Sequence, residues 1–299
     1  MPFQNKVSSN ESALPEREVV VTRSGARAML DRATGEVMHP VVGPVIEAPR
    51  LYTTPSRLAA RLAVADPSPL VLFDVGLGAG SNAIAAWHLS EALPETARRL
   101  SIVSFDRSTE ALELAARPEH ASAFDLEGGA ARAVHTLLTE RRHESRRTTW
   151  RLVLGELPST LMLGAEQEAM ADIVYWDPFS PRANPGLWTF SAFSLLRRVC
   201  RGNATVHTYS GATATRSALL LAGFAVGTGD TCDPSRQDKQ TTIAAIDVAD
   251  LERPLDARWL ERLRRSSAPF PVDAPPDALD RIVSLPQFSS SASRASRAS

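Results

Sequence analysis

The chain has 299 residues, 43% of them hydrophobic, with 33 basic and 34 acidic side chains and a formal net charge of −1. That length supports one large core with appendages, and that balance gives no global electrostatic pull toward nucleic acid. Membrane and secreted classes are not expected: no apolar run reaches the ~18–20 residues of a spanning helix, and the N-terminal MPFQNKVSSNESALPERE lacks the apolar region of a signal peptide.

Residues 1–17 are polar and are expected to be disordered. Glu18–Leu30 alternates around Ser24-Gly25 and reads as a β-hairpin, opening an entry segment over 18–68 with helical character near Ser56–Val64. An α/β domain is expected over 69–250. Its strands are read at Leu70–Val75, Ser101–Phe105, Trp150–Leu154, Asp172–Trp176, Ala204–Tyr209, Phe224–Gly227 and Thr241–Asp247. Its helices are read at Ser81–Ala92, Thr109–Ala116, Leu126–Arg142, Leu161–Ala171, Gly186–Val199 and Ala212–Ala222, the last closed by Gly223. A C-terminal extension over 251–285 has one short helix, Asp256–Arg265, and the low-complexity 286–299 is expected to be a disordered tail.

Such alternation implies a mostly parallel, doubly wound sheet of seven strands with ligands at the carboxyl ends. The last two strands, joined only by a loop, imply an antiparallel hairpin at one edge. That ending is typical of class I, Rossmann-like methyltransferases and atypical of dinucleotide dehydrogenases.

Two loops carry the chemistry. LVLFDVGLGAGSN runs from a buried strand through Asp74, Gly76, Gly78 and Gly80 into a helix. Glycines there permit positive φ and close backbone approach to a ligand, and the helix start offers free N–H groups. The spacing is G-x-G-x-G, not the G-x-G-x-x-G of dinucleotide sites, and it resembles the first motif of S-adenosylmethionine-dependent methyltransferases. Asp106 ends the second strand, where an acid accepts from ribose hydroxyls or caps the next helix. Glu156 follows the third strand, either to accept an adenine amino group or as a solvated carboxylate.

The second loop is DIVYWDPFSPRANPGLWT. Its strand delivers Asp177 to a turn that Pro178 and Pro181 stiffen. A carboxylate there can hold an amine and offset the positive charge that develops on it during methyl transfer. Phe179 can stack on a base, and Arg182 can reach a phosphate or carboxylate. Asn184 is read both as a substrate contact and as the N-cap of a helix with Pro185 at its first position. Trp188 is read as core. The Arg141–Arg151 group reads as a solvated loop, with a nucleic-acid backbone patch as the alternative. Cys200 and Cys232 form no ligand pair, nor do His39, His88, His135, His143 and His207, so no metal is expected.

With DVGLGAGSN, WDPFSPRANPGLWT, VHTYSGATATRSALLLAGFAV and the entry segment GEVMHPVVGPVIEAPRLY (Glu36, His39, Gly43 and Glu47), the chain resembles the MnmC-like family. This is the methyltransferase half of the bifunctional tRNA 5-methylaminomethyl-2-thiouridine biosynthesis protein, here in a stand-alone form. The resemblance runs from Val19 to Asp247. It implies S-adenosylmethionine as cofactor and methylation of the aminomethyl nitrogen on a wobble uridine of tRNA. It also implies a functional link to an enzyme making the aminomethyl precursor, and a cytoplasmic protein with no membrane partner. Asp177 matches the acidic position of the family's substrate loop. Asp74, Gly76, Gly78, Gly80 and Asn82 match its cofactor loop, with Asp106 where the family usually has Glu and Glu156 where it has Asp. Arg182-Ala183 and Asp233–Lys239 depart from its basic runs. No second glycine-rich βαβ segment accompanies them, so no flavin oxidase activity is expected. Two other functions remain open on these residues: an amine methyltransferase acting on another base or a small metabolite, and a catalytically silent RNA-binding scaffold.

Overall fold

The computed structural model describes residues 16–167, 170–231 and 240–289. The expectations for 1–15 and 290–299, Cys232 and Asp233–Lys239 lie outside the described residues.

A small antiparallel sheet comes first, β1 (Arg17–Val21), β2 (Arg27–Asp31) and β3 (Glu36–Met38), with β2 in the middle. The hairpin was expected; the third strand was not. Helix α1 (Pro44–Ala48) runs on as a π-helical turn over Pro49–Thr53, and α2 (Leu58–Ala63) leads into the main sheet. That sheet contains β4 (Leu70–Val75), β5 (Leu100–Asp106), β6 (Arg142–Glu144), β7 (Thr148–Leu154), β8 (Ala171–Trp176), β9 (Cys200–Thr208), β10 (Ala225–Thr231) and β11 (Gln240–Ala245). Its order is β10-β11-β9-β8-β4-β5-β7-β6. The strands from β9 to β7 are parallel, and β11 runs antiparallel between β9 and β10 as the edge hairpin requires. The sheet has eight described strands rather than seven, because β6 adds a short antiparallel edge beside β7.

Both faces are covered, which is why the central strands read as continuous apolar runs. Val71, Phe73 and Val75 of β4 point to one core and Leu70 and Leu72 to the other. The first core packs under α7 (Phe190–Arg198), α8 (Thr213–Leu221) and α9 (Ala257–Arg265), the second under α3 (Ser81–Ala92) and α5 (Gly128–Glu140). The remaining helices are α4 (Glu110–Ala115), α6 (Thr160–Gln167) and α10 (Ala278–Val283).

Three local expectations are corrected. The helix expected over Gly186–Val199 is broken: a 3-10 turn, Pro185–Trp188, precedes α7, and Thr189 caps α7 by accepting from Ala192 N at 3.1 Å. Asn184 makes no side-chain cap. The Arg141–Arg151 group is not a solvated loop, since it builds β6 and β7. Arg147 is buried and donates to the carbonyls of Pro94, Ala97 and Arg98 at 2.6, 2.5 and 2.7 Å. Pro286–Phe288, placed in the tail by composition, forms a 3-10 turn whose Gln287 bonds the backbone of Val226 and Leu255.

Candidate functional site

Strand register assembles the site. Val75 lies opposite both Phe105 and Trp176, and Asp106 lies opposite Leu154. The residues just beyond these ends are Gly76, Gly155-Glu156 and Asp177, so the glycine loop, Asp106, Glu156 and Asp177 meet at one edge of the sheet. The chain proceeds from β4 to β5 and β7 on one side and returns through β8 and β9 on the other. The crevice between β4 and β8 is therefore the switch point at which doubly wound sheets bind ligands.

A cavity of about 920 Å³ opens there. Of the residues assigned to a site from the sequence, Gly76, Gly78, Asn82, Asp106, Glu156, Asp177, Phe179 and Asn184 line it. Three expected site residues do not. Asp74 is buried behind the loop, where its Oδ2 accepts from Ser104 Oγ at 2.7 Å. Gly80 takes φ +83 and starts α3 with its Cα hydrogens against Leu112. The Arg182 side chain is 78% exposed and turns outward, its guanidinium 3.6 Å from Glu36.

The two loops are joined, and the joints explain the glycines. Gly76 has φ +90, and a Cβ there would lie 2.7 Å from the carbonyl oxygen of Asp177. Gly78 N donates to Asp106 Oδ2 at 2.9 Å, so Asp106 clamps the glycine loop instead of capping α4. Asn82, at the start of α3, donates through Nδ2 to Asp177 Oδ2 at 2.7 Å.

Asp177 is the centre of this network. Tyr52 Oη donates to its Oδ1 at 2.5 Å, and His39 Nε2 lies 3.7 Å from Oδ2. Burial pushes the Asp177 carboxyl up, while His39, Tyr52 and Asn82 pull it down. Burial and the adjacent carboxylate raise Tyr52 far above its ordinary range, so it remains a donor. The loop is stiffened by more than its prolines: Tyr209 Oη donates to Pro178 O at 3.0 Å, and Trp188 Nε1 donates to Phe179 O at 2.8 Å. Ser180 donates to Glu36 through both its backbone N–H and its Oγ.

Tyr52, His39, Glu36 and Tyr209 had no assigned role in the sequence reading, although all four stand in motifs that carry the resemblance. Glu36 and His39 reach the site from β3 and the turn after it, so the small N-terminal sheet forms one wall. Glu47 fixes that turn by accepting from the N–H groups of Val41, Val42 and Gly43 at 2.8, 2.7 and 3.0 Å.

The residues present fit S-adenosylmethionine. The start of α3 has no side-chain cap, and Ser81 Oγ and Asn82 Oδ1 are buried without a partner among the described residues. Both residues line the cavity, together with the carboxylates of Asp106 and Glu156 at successive strand ends. Such a set offers donors to a carboxylate and acceptors to a ribose and an amino group. Among the described residues no cluster of side chains suits a metal ion, and no helix is long and apolar enough to cross a membrane.

Residues 131–242 match a family described as S-adenosyl-L-methionine-dependent methyltransferase. The chain is 30% identical over 203 residues to the tRNA 5-methylaminomethyl-2-thiouridine biosynthesis bifunctional protein MnmC of Pseudomonas aeruginosa, covering 66% of this chain and 31% of that protein. It is 35% identical over 164 residues to the protein of the same name from Ralstonia nicotianae, covering 52% and 24%. The chain thus spans less than a third of the length of these curated relatives. Among solved structures, MNMC2 from Aquifex aeolicus matches with a TM-score of 0.68 at 24% identity, over 91% of this chain and 86% of that one. At that identity the likeness shows the fold alone, the Rossmann-like α/β fold of class I methyltransferases.

Proposed function

We propose that this chain is an MnmC-like S-adenosylmethionine-dependent methyltransferase and that it methylates the aminomethyl nitrogen of 5-aminomethyl-2-thiouridine at the wobble position of tRNA; the family match and the relatives support this reading. The observation that carries the reading is the Asp177 carboxylate. It sits at the switch point beside the glycine loop, with two donors fixing its orientation. S-adenosylmethionine supplies, when bound, an electrophilic methyl group on a sulfonium sulfur. Asp177 then holds the substrate amine and offsets the positive charge that grows on it. Gly76, Gly78, Asn82, Asp106 and Glu156 form the cofactor side of the cavity, and Phe179 and Asn184 the substrate side. Asp74 and Gly80 support that cradle from behind, and Arg182 guides the nucleic acid at the rim.

The tRNA substrate is supported by the names of the relatives and by the Asp177–Pro185 loop, which resembles the substrate loop of the MnmC-like family. It places the protein in the cytoplasm, downstream of an enzyme that installs the aminomethyl group. The test is incubation with S-adenosylmethionine and tRNA bearing 5-aminomethyl-2-thiouridine, followed by mass spectrometry of the nucleosides. The expected product is the N-methylated nucleoside. Asp177→Asn is expected to bind cofactor normally and lose about 10²–10³ in kcat/KM. Cofactor binding with an unchanged wobble nucleoside would reject tRNA as the substrate. Wild-type turnover by Asp177→Asn would remove its assigned role.

A further inference from the structure

Tyr52 and Asn82 already donate to Asp177, one to each oxygen. A carboxylate oxygen accepts two hydrogen bonds, so each keeps one lone pair for the cavity. That is enough to hold an ammonium group. With one donor already on each oxygen, the remaining lone pairs are taken up in holding and orienting that ammonium. A methyl acceptor that arrives as an ammonium must nevertheless lose a proton before its nitrogen can attack.

His39 faces this carboxylate from the N-terminal wall. Its side chain is 10% exposed, it lines the cavity, and Nε2 stands 3.7 Å from Asp177 Oδ2. The ring makes no hydrogen bond among the described residues. Its backbone takes φ +52 immediately before Pro40, a region that non-glycine residues seldom occupy and that persists only where the surroundings impose it. Glu47 supplies that imposition by bonding the three N–H groups that follow Pro40. Titratable and charged groups that line the cavity with His39 include Glu16 and Arg17 at β1, Glu36 on β3, Glu47 on α1, Asp177 after β8 and Tyr209 after β9, and Tyr52 on the π-helical turn is bonded to Asp177.

We propose that His39 is the general base of the transfer, with Asp177 holding the substrate ammonium while the His39 imidazole removes its proton. This rests on the function proposed above. R–CH2–NH3+ gives one proton to Nε2, leaving R–CH2–NH2 and an imidazolium. The nitrogen lone pair forms the N–CH3 bond as the S–CH3 bond breaks, its electron pair staying on sulfur. The product leaves as R–CH2–NH2+–CH3, and the imidazolium returns its proton to solvent through the cavity mouth. Imidazole suits the task because its ordinary pKa lies near neutrality.

The test is the pH dependence of kcat/KM for wild type, His39→Gln, His39→Ala and Asp177→Asn, with cofactor affinity and melting temperature measured for each. Wild type is expected to show an acid limb where His39 becomes protonated. His39→Gln is expected to lose that limb and about 10²–10⁴ in kcat, with cofactor affinity unchanged. Added imidazole is expected to restore turnover to His39→Ala. Asp177→Asn is expected to slow turnover but to keep the limb. A His39→Gln enzyme with wild-type rate and limb overturns the inference. So does a slowed variant that keeps the limb while His39→Ala is not rescued. A wild-type protein that binds cofactor and methylates no amine overturns the proposed function and this inference with it.

Discussion

Asp74 is buried behind the glycine loop and does not line the cavity. Burial pushes its carboxyl up to about 8; the Ser104 hydroxyl opposes that, and the charges of Asp177 and Asp106 add to it. In the unfolded chain the same group loses its proton near pH 4. Between those values the folded protein binds one more proton than the unfolded one. Stability therefore falls as pH rises from about 4 to about 8, by up to roughly tenfold in the folding equilibrium per pH unit. Asp74→Asn removes the ionisation at nearly constant volume. Its melting temperature is expected to depend less on pH than that of wild type between about pH 5 and pH 8, and to be the higher of the two at the alkaline end. Parallel curves for the two proteins would refute this.

Among the elements, the glycine loop and the substrate loop act as one unit because Gly76 lets them touch. Gly76→Ala adds a methyl group 2.7–2.9 Å from the backbone of Asp177 and Pro178 at φ +90. That backbone cannot swing aside as a side chain would, so the variant is expected to lose about 1–3 kcal/mol of stability and cofactor affinity with it. Gly186→Ala is the control: it lines the same cavity, has no positive φ, and its new methyl meets nothing within 4 Å. Chemical denaturation that finds the two variants equally stable would show that the loops are not packed as described. What could be read in advance follows the same division. Strand β4 and helix α3 end where the apolar pattern places them, and Asp177 sits at the end of its strand, because those features are local. Strand β3 has three residues held by pairing with β2, too few to leave a pattern. Tyr52 meets Asp177 across 125 residues of chain, and Arg147 is buried by carbonyls some fifty residues earlier. Neither contact leaves a periodic trace.

The molecule as a whole is closed by residues that composition set apart as an extension. Leu255, Trp259, Leu260, Leu263 and Ile282 are buried in the core that backs β8 and β9. Polar contacts fasten the same segment: Ser217 Oγ donates to Pro269 O at 2.7 Å, and Gln287 bonds Val226 N at 2.9 Å. Asp273 accepts from the N–H groups of Phe190 and Ser191 at 2.8 and 2.9 Å, so it covers the start of α7, the helix that the substrate loop enters. Asp273→Ala is accordingly expected to cost about 1 kcal/mol. Removing residues 251–299 has a larger consequence. Each buried apolar side chain contributes about 1.5–3 kcal/mol, and five of them together match the ~5–15 kcal/mol by which a domain is stable at all. The shortened chain is therefore expected to lose its cooperative thermal transition and to bind an apolar dye through the uncovered face. A shortened chain that unfolds at the wild-type temperature and still binds cofactor would make 251–289 an appendage after all. The five side chains and the Asp273 cap argue instead that this segment completes the core on which the substrate loop is built.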